Sequence, residues 1–277
     1  MDIPKVALRA VQQPTRPRRR QRASVLPAAV WQAAVSFVVA GLTWEVLARV
    51  VVGNPLFLSP LSDVGLRAVD LWRSGELQVN VWVSFVEFAL GFALASVAGI
   101  AGGVVLAGSP RLRAFCDPLI SMLYATPLIA LGPLFILWLG IGVASKVAII
   151  FLMSVFPILI NTVTGLTTAD RRLIEVARSF GATAGQVYRK VRMPAALPFI
   201  IAGLRLSVAR ALVGVVVAEL FGARAGLGYM IVNSAQSFDT SGVFVGVLIL
   251  AIAGAASVEL LKWLEVKLAP WQHTEEG

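Results

Sequence analysis

The chain has 277 residues, of which 58% are hydrophobic and 14% charged, whereas a soluble domain carries about a quarter charged residues, so an ordinary soluble domain is excluded. The formal net charge is +9, but the basic residues cluster in alternate connections between long apolar runs, which is the positive-inside pattern of a polytopic membrane protein and not a nucleic-acid-binding surface. One cysteine, Cys116, and one histidine, His273, exclude an intrachain disulfide and a zinc site built from those side chains.

Residues 1–26 are rich in Pro and Arg, with seven basic residues ahead of the first apolar run, and read as a disordered basic tail on the cytoplasmic side. The apolar run that follows is too long for the core of a signal peptide and lacks a clear cleavage site, so it reads as the first anchor. Charge-free runs extend over Ala23–Trp44, Phe88–Pro110, Pro118–Ser145, Val147–Ala169 and Thr240–Val258, each long enough to cross a bilayer core, which needs about 20 apolar residues. The spacing predicts an all-α integral membrane protein, embedded over 27–270 in the lipid bilayer. Its spans are 31–52, 83–107, 117–139, 144–166, 199–221 and 243–263. With the N-terminus inside, six spans return the tail 271–277 to the cytoplasm.

Between the first two spans, Leu61, Val64, Leu66, Val69, Leu71 and Trp72 recur among polar residues at helical spacing, and predict a short helix at the outer interface. The second span carries Gly91, Ala95, Gly99 and Gly103 at a period of four. Small residues in such a stripe let a neighbouring helix approach closely. Pro127 and Pro133 in the third span remove backbone donors and predict a kink. Tyr124, Thr126, Ser154, Asn161 and Thr162 are polar groups in spans three and four, for which helix-to-helix hydrogen bonding is the simplest role. Tyr124 and Asn161 are also candidates to line a solute path.

The stretch 167–198 is too long and too patterned to be a plain connector. Asp170 predicts an N-cap, Leu173, Ile174, Ala177 and Phe180 an apolar helical face, and Gly181 a stop. Val187, Tyr188 and Val191 predict a second short amphipathic piece that Pro194 and Pro198 close before the fifth span. In that span Arg205 lies near enough to the cytoplasmic side to snorkel. Arg210 sits near the middle, where it either pairs with a neighbouring helix or faces a cavity and attracts an anionic solute. Glu87 and Glu219 fall near the outer ends of their spans and read as interfacial charges.

The segment Glu175-Val176-Ala177, then Gly181, then Val191-Arg192-Met193-Pro194 resembles the EAA loop of binding-protein-dependent ABC importer permeases. It departs from that pattern at Val176, Val191 and Met193, all conservatively. Leu58-Ser59-Pro60, Phe135-Ile136-Leu137-Trp138, Phe156-Pro157-Ile158-Leu159-Ile160-Asn161-Thr162 and Gly226-Leu227-Gly228-Tyr229 resemble further runs of the family, in the branch that includes sulfonate, taurine and nitrate importers. The resemblance implies a type I ABC importer permease fold in a bacterial inner membrane. It also implies a solute-binding protein outside, a second permease chain, with a homodimer the default, and two ATPase subunits inside. Glu175, Val176, Ala177, Phe180, Gly181, Val191, Met193 and Pro194 are then the ATPase-coupling residues. A P-loop needs a Gly-Lys pair, and none occurs in the sequence, so the chain is no enzyme. ATP and Mg would be used by the partner, and this chain would bind no cofactor or metal.

A secondary transporter would share the polytopic, basic-inside pattern, but no inverted repeat is visible and the patterned loop would have no task. A membrane-embedded enzyme would have to work without paired aspartates or a His-Glu-x-x-His motif.

Overall fold

The computed structural model describes residues 25–269, and both predicted tails lie almost entirely outside them. Eleven helices account for most of the described chain. Helix α1 (Val25–Val46) ends in a wide turn, Leu47–Val52, and is followed by α2 (Leu61–Arg73), α3 (Glu76–Gly108), α4 (Pro110–Ala125), α5 (Gly132–Leu139) and α6 (Val143–Thr167). Then come α7 (Arg171–Ser179), α8 (Ala184–Val187), α9 (Met193–Leu220), α10 (Leu227–Gln236) and α11 (Thr240–Leu268). Trp31–Val52, Glu76–Gly108, Val143–Thr167, Ala184–Leu220 and Thr240–Leu268 are each long and apolar enough to cross a membrane. Helix α4 and Leu128–Leu139 form a bent pair with 82° between them, which makes a sixth span if the two count as one.

That bend is sharper than the expected kink. Pro127 and Pro133 flank a single tight turn, Leu128–Leu131, and two missing N–H groups within seven residues leave no continuous hydrogen-bond ladder to carry a helix through. Pro133 opens α5, where a missing donor costs nothing.

Helices α3, α6 and α9 form the core, with α6 in the middle. The small-residue stripe of α3 lies against α6. A Cβ at Gly91 would stand 2.6 Å from Ile150 Cγ2, and one at Gly103 would stand 2.5 Å from Thr162 Cβ. Ala95, fully buried, joins Ile149, Met153, Phe156 and Ile158 in the largest apolar cluster. Close packing of this kind is what holds membrane helices together, because lipid is as apolar as the side chains themselves.

The bundle has two distinct ends. The basic end carries Arg111, Arg113 and the segment 168–192, and α3, α6 and α11 all finish there. At the opposite end, Val64 and Leu71 of α2 pack with Leu77, Leu227, Met230 and Val245. The helix expected over this stretch is therefore present, with Val64 and Leu71 turned into protein and Leu66, Val69 and Trp72 left exposed. Helix α10, which no periodicity suggested, shares the cluster.

Candidate functional site

Helix α7 forms as its sequence dictates. Asp170 accepts from the Arg172 N–H at 2.8 Å, and Gly181 takes a left-handed conformation at φ 79° that closes the helix. Ile174 and Ala177 are half-buried, whereas Leu173, Val176 and Phe180 point outward, Phe180 being 88% exposed. Glu175 is exposed and Gly181 stands at the surface. The result is a short polar helix presenting an apolar stripe that nothing else among the described residues covers.

The second piece begins with a reciprocal cap. The Gln186 N–H donates to Thr183 Oγ1 at 3.3 Å, and the Thr183 N–H donates to Gln186 Oε1 at 2.8 Å. Val187 is buried and Val191, Met193 and Pro194 are half-buried. The expectation that Pro194 and Pro198 close this piece is corrected: α8, a wide turn over Tyr188–Arg192 and α9 run together as Ala184–Leu220, 37 residues. Pro194 falls in the first turn of α9, where its missing donor costs little, and the wide turn just before it gives the ring room. Met193 packs beside Leu166, Ala196 and Ile200, which ties the base of α9 to the end of α6.

Higher on α9, Arg210 and Tyr124 come together. Arg210 donates to the Tyr124 hydroxyl at 2.9 Å, and its guanidinium lies 4.7 Å from the ring centroid. The Tyr124 ring in turn meets Phe156 edge-on, with centroids 6.5 Å apart. Among the described residues no carboxylate lies within ion-pairing distance of Arg210. Leu206 and Val213 flank it along the same exposed stripe, and α4 buries none of its side chains. Asn161 is elsewhere, donating to the Pro157 carbonyl at 2.8 Å where Gly203 of α9 crosses α6.

Three expectations change. Thr126, Ser154, Asn161 and Thr162 bond carbonyls of their own helices and not neighbouring ones, because a short polar side chain in a helix finds the carbonyl four residues back first. The α6–α9 bridge is instead Ser207 Oγ to the Ser154 carbonyl at 2.7 Å. Arg205 pairs with Glu265 near the end of α11, a partner from a distant part of the sequence.

Glu87 and Glu219 are not interfacial charges, as each is 1% exposed. Lys146 Nζ lies 2.6 Å from Glu87 Oε1. Glu219 Oε1 accepts from Ser84 Oγ and Oε2 from the Gly228 N–H, both at 2.5 Å. The Leu227 N–H donates to Ser84 Oγ at 2.7 Å and the Gly226 N–H to Asn80 Oδ1 at 2.8 Å. A carboxylate at the C-terminal end of α9 opposes that helix's dipole, but here it caps the first turn of α10, where negative charge is favoured. Gly226 is required because a Cβ there would stand 2.3 Å from the Glu219 carboxyl carbon, and a Cβ at Gly228 would press at 3.0 Å on both Glu219 Oε2 and the Val216 backbone. The available signals were the lone Lys146 between two charge-free runs and the two glycines just after Glu219.

The family model for the binding-protein-dependent transport system inner membrane component matches residues 95–270. A Bacillus subtilis protein described as an aliphatic sulfonates transport permease, SsuC, is 38% identical over 84% of this chain and 85% of its own length. The formylaminopyrimidine transport permease ThiX of Halalkalibacterium halodurans is 34% identical over 85% of this chain and 94% of its own. The taurine transport system permease TauC of Escherichia coli is 32% identical over 82% and 85%. Among solved structures, an inward-facing MetNI methionine ABC transporter superposes with a TM-score of 0.59 at 18% identity. It covers 68% of this chain and 94% of the matched one, a likeness of fold.

Proposed function

Since this chain belongs to the binding-protein-dependent transport system inner membrane components and is a permease of the ABC importer type, we propose the following division of labour. The chain forms half of a path for a small organic anion and docks an ATPase subunit through α7. The observation that carries the docking is the uncovered stripe of Leu173, Val176 and Phe180 on an otherwise polar helix. An apolar stripe seated in a partner's groove, with Glu175 and the arginines around it, suits the transmission of a closing motion. Ala177 and Gly181 shape that helix, and Val191, Met193 and Pro194 link it to α9. The basic end faces the cytoplasm, following the distribution of Arg and Lys. A solute-binding protein meets the opposite end. Two ATPase subunits carry out hydrolysis with ATP and Mg.

The half-exposed Arg210 supports the path and the second copy together. A charge at mid-span facing hydrocarbon is costly, so the α4–α9 face carrying Tyr124 and Arg210 is turned toward a second permease chain and a water-filled path between the two. Tyr124 holds one side of the guanidinium, and its remaining N–H groups are free for a sulfonate or carboxylate. Asn161 remains a weaker candidate for the same path. The relatives named for sulfonates and taurine support this substrate class, and the relative named for formylaminopyrimidine shows that the family's solutes vary.

The test is purification of the tagged chain with the products of its neighbouring genes. An ATPase should accompany it, and a transport-competent chain without one would restore the secondary transporter. In the assembled complex, Arg210→Ala should lose uptake while ATP hydrolysis persists. Normal uptake of an anionic solute by that variant would remove Arg210 from the path.

A further inference from the structure

Polar side chains from three helices meet inside the end of the core opposite the basic loops. Asn80, Ser84 and Glu87 form one stripe of α3, and all three are buried. Lys146 of α6 and Glu219 of α9 stand against them, buried as well. Two acids and one cation are thus enclosed together, and a buried charge that nothing compensates is costly.

The hydrogen bonds of this cluster leave one acceptor over. Lys146 engages Glu87 Oε1, Ser84 Oγ engages Glu219 Oε1, and the Gly228 N–H engages Glu219 Oε2. Glu87 Oε2 is buried with no donor, although buried acceptors are normally satisfied. It lies within hydrogen-bond reach of the Glu219 side chain. The register of α3 agrees, because Ser84 is one turn from Glu87 on the same face and already touches that carboxyl. Two ionised carboxylates offer each other only lone pairs and like charge, whereas a carboxylic acid brings the missing donor. Carboxyls in such contact share one proton.

Lys146 fixes the negative charge on Glu87. No cation lies within ion-pairing distance of Glu219 among the described residues. The helix dipoles do not decide its state, since the end of α9 disfavours a negative charge there and the start of α10 favours one.

We propose that Glu219 is a carboxylic acid that donates its proton to Glu87 Oε2, so that one bound proton completes the cluster. The cluster is then neutral, with Lys146 positive, Glu87 negative and Glu219 uncharged. Glu219 in this form still accepts from Ser84 and Gly228, and so ties α3, α9 and the first turn of α10 around the proton. When the proton leaves for water, two carboxylates face each other and the repulsion falls on the turn that Glu219 caps. The proton is a latch on α10 that alkaline pH opens. The charged groups acting on Glu219 are Glu87 of α3 and Lys146 of α6. Tyr229 of α10 lines a small cavity with Glu219, and Arg224, in the connection between α9 and α10, borders another with Glu87 and Lys146.

Two measurements test this. Glutamates of the unfolded chain are ionised above about pH 5, so unfolding releases the proton and rising pH favours the unfolded state. In mixed micelles the unfolding equilibrium of the parent chain should shift toward unfolding by up to about tenfold between about pH 5.5 and about pH 6.5. Glu219→Gln carries its donor permanently and should lose that shift. The variant keeps His273, the one histidine, so the difference isolates Glu219. In the complex assembled with its ATPase, infrared spectra at neutral pH should show the carbonyl band of a protonated carboxyl, absent from Glu219→Gln. Glu87→Gln offers the donor from the other side and lets Glu219 ionise, so it should lose the band too. This second variant keeps the test available if the first fails to assemble. A parent without the band would overturn the proposal, as would a band or a pH shift that the substitutions leave unchanged.

Discussion

Replacing Lys146 by Met removes the charge at nearly constant volume and tests whether the buried pair behaves as a unit. The Lys146 side chain is 9% exposed and Glu87 1%, with 2.6 Å between Nζ and Oε1. Breaking a buried ion pair from one side leaves an uncompensated charge and costs about 3–5 kcal/mol, whereas replacing both partners by apolar residues is often neutral or stabilising. Lys146→Met alone should therefore lower stability by about 3–5 kcal/mol, a change of roughly a hundredfold to a few thousandfold in the folding equilibrium. The double variant Glu87→Met with Lys146→Met should recover most of that loss. Glu219 is not orphaned in the double variant, since Ser84 and Gly228 hold both of its oxygens. The measurement is SDS-induced unfolding in mixed micelles, followed by the fluorescence of the seven tryptophans. A single variant within about 0.5 kcal/mol of the parent would refute the reasoning. So would a double variant no more stable than Lys146→Met.

Gly103→Ala should destabilise by about 1–3 kcal/mol, because its Cβ would lie 2.5 Å from the branched Thr162 Cβ and 3.1 Å from the Leu159 carbonyl oxygen. Gly102→Ala meets only the end of the Leu159 side chain at 3.3 Å and should stay within about 0.5 kcal/mol in the same unfolding assay. Ser84→Ala leaves the Leu227 N–H and one Glu219 oxygen unpaired and should cost about 1–3 kcal/mol, with earlier proteolysis around α10 as a second readout. Phe180→Ala should leave thermal stability unchanged, since the ring is 88% exposed, yet reduce the ATPase that co-purifies; undiminished recovery of the ATPase would count against α7 as the docking helix.

The sequence was most informative where a local pattern has one physical outcome. Charge-free runs long enough to cross a bilayer marked each predicted span but the fifth, which carries Arg205, Arg210 and Glu219. Asp170 and Gly181 bounded α7, and the period-four stripe on α3 marked its contact with α6. The errors arose where the outcome depends on a distant element. Glu219 looked interfacial because nothing nearby in sequence reveals that the first turn of α10 folds back over it. Arg205 showed no partner in the sequence because Glu265 follows sixty residues later. Pro194 looked like a terminator because the wide turn at Tyr188–Arg192 that accommodates it leaves no compositional mark. Helix α10 itself was hidden by its modest length and by an apolar face that makes sense only against α2 and α11.

The packing of α9 on α6 has a mechanical consequence. A Cβ at Gly165 would lie 3.0 Å from Ala196 Cα, one at Gly203 3.2 Å from Ile158 Cα, and one at Gly214 3.2 Å from Ile150 Cα. From Ala196 to Gly214 these pins span about 27 Å of α9. Helices touching backbone to backbone at three such points can neither slide nor roll on one another. A push at the base of α9 would then turn α6 and α9 as one stiff frame and leave the compliance to the bent pair, where 82° separates α4 from Leu128–Leu139. Gly132, at the start of α5, leaves room for the Phe221 ring at the far end of α9. That is where the frame would press on the piece able to yield.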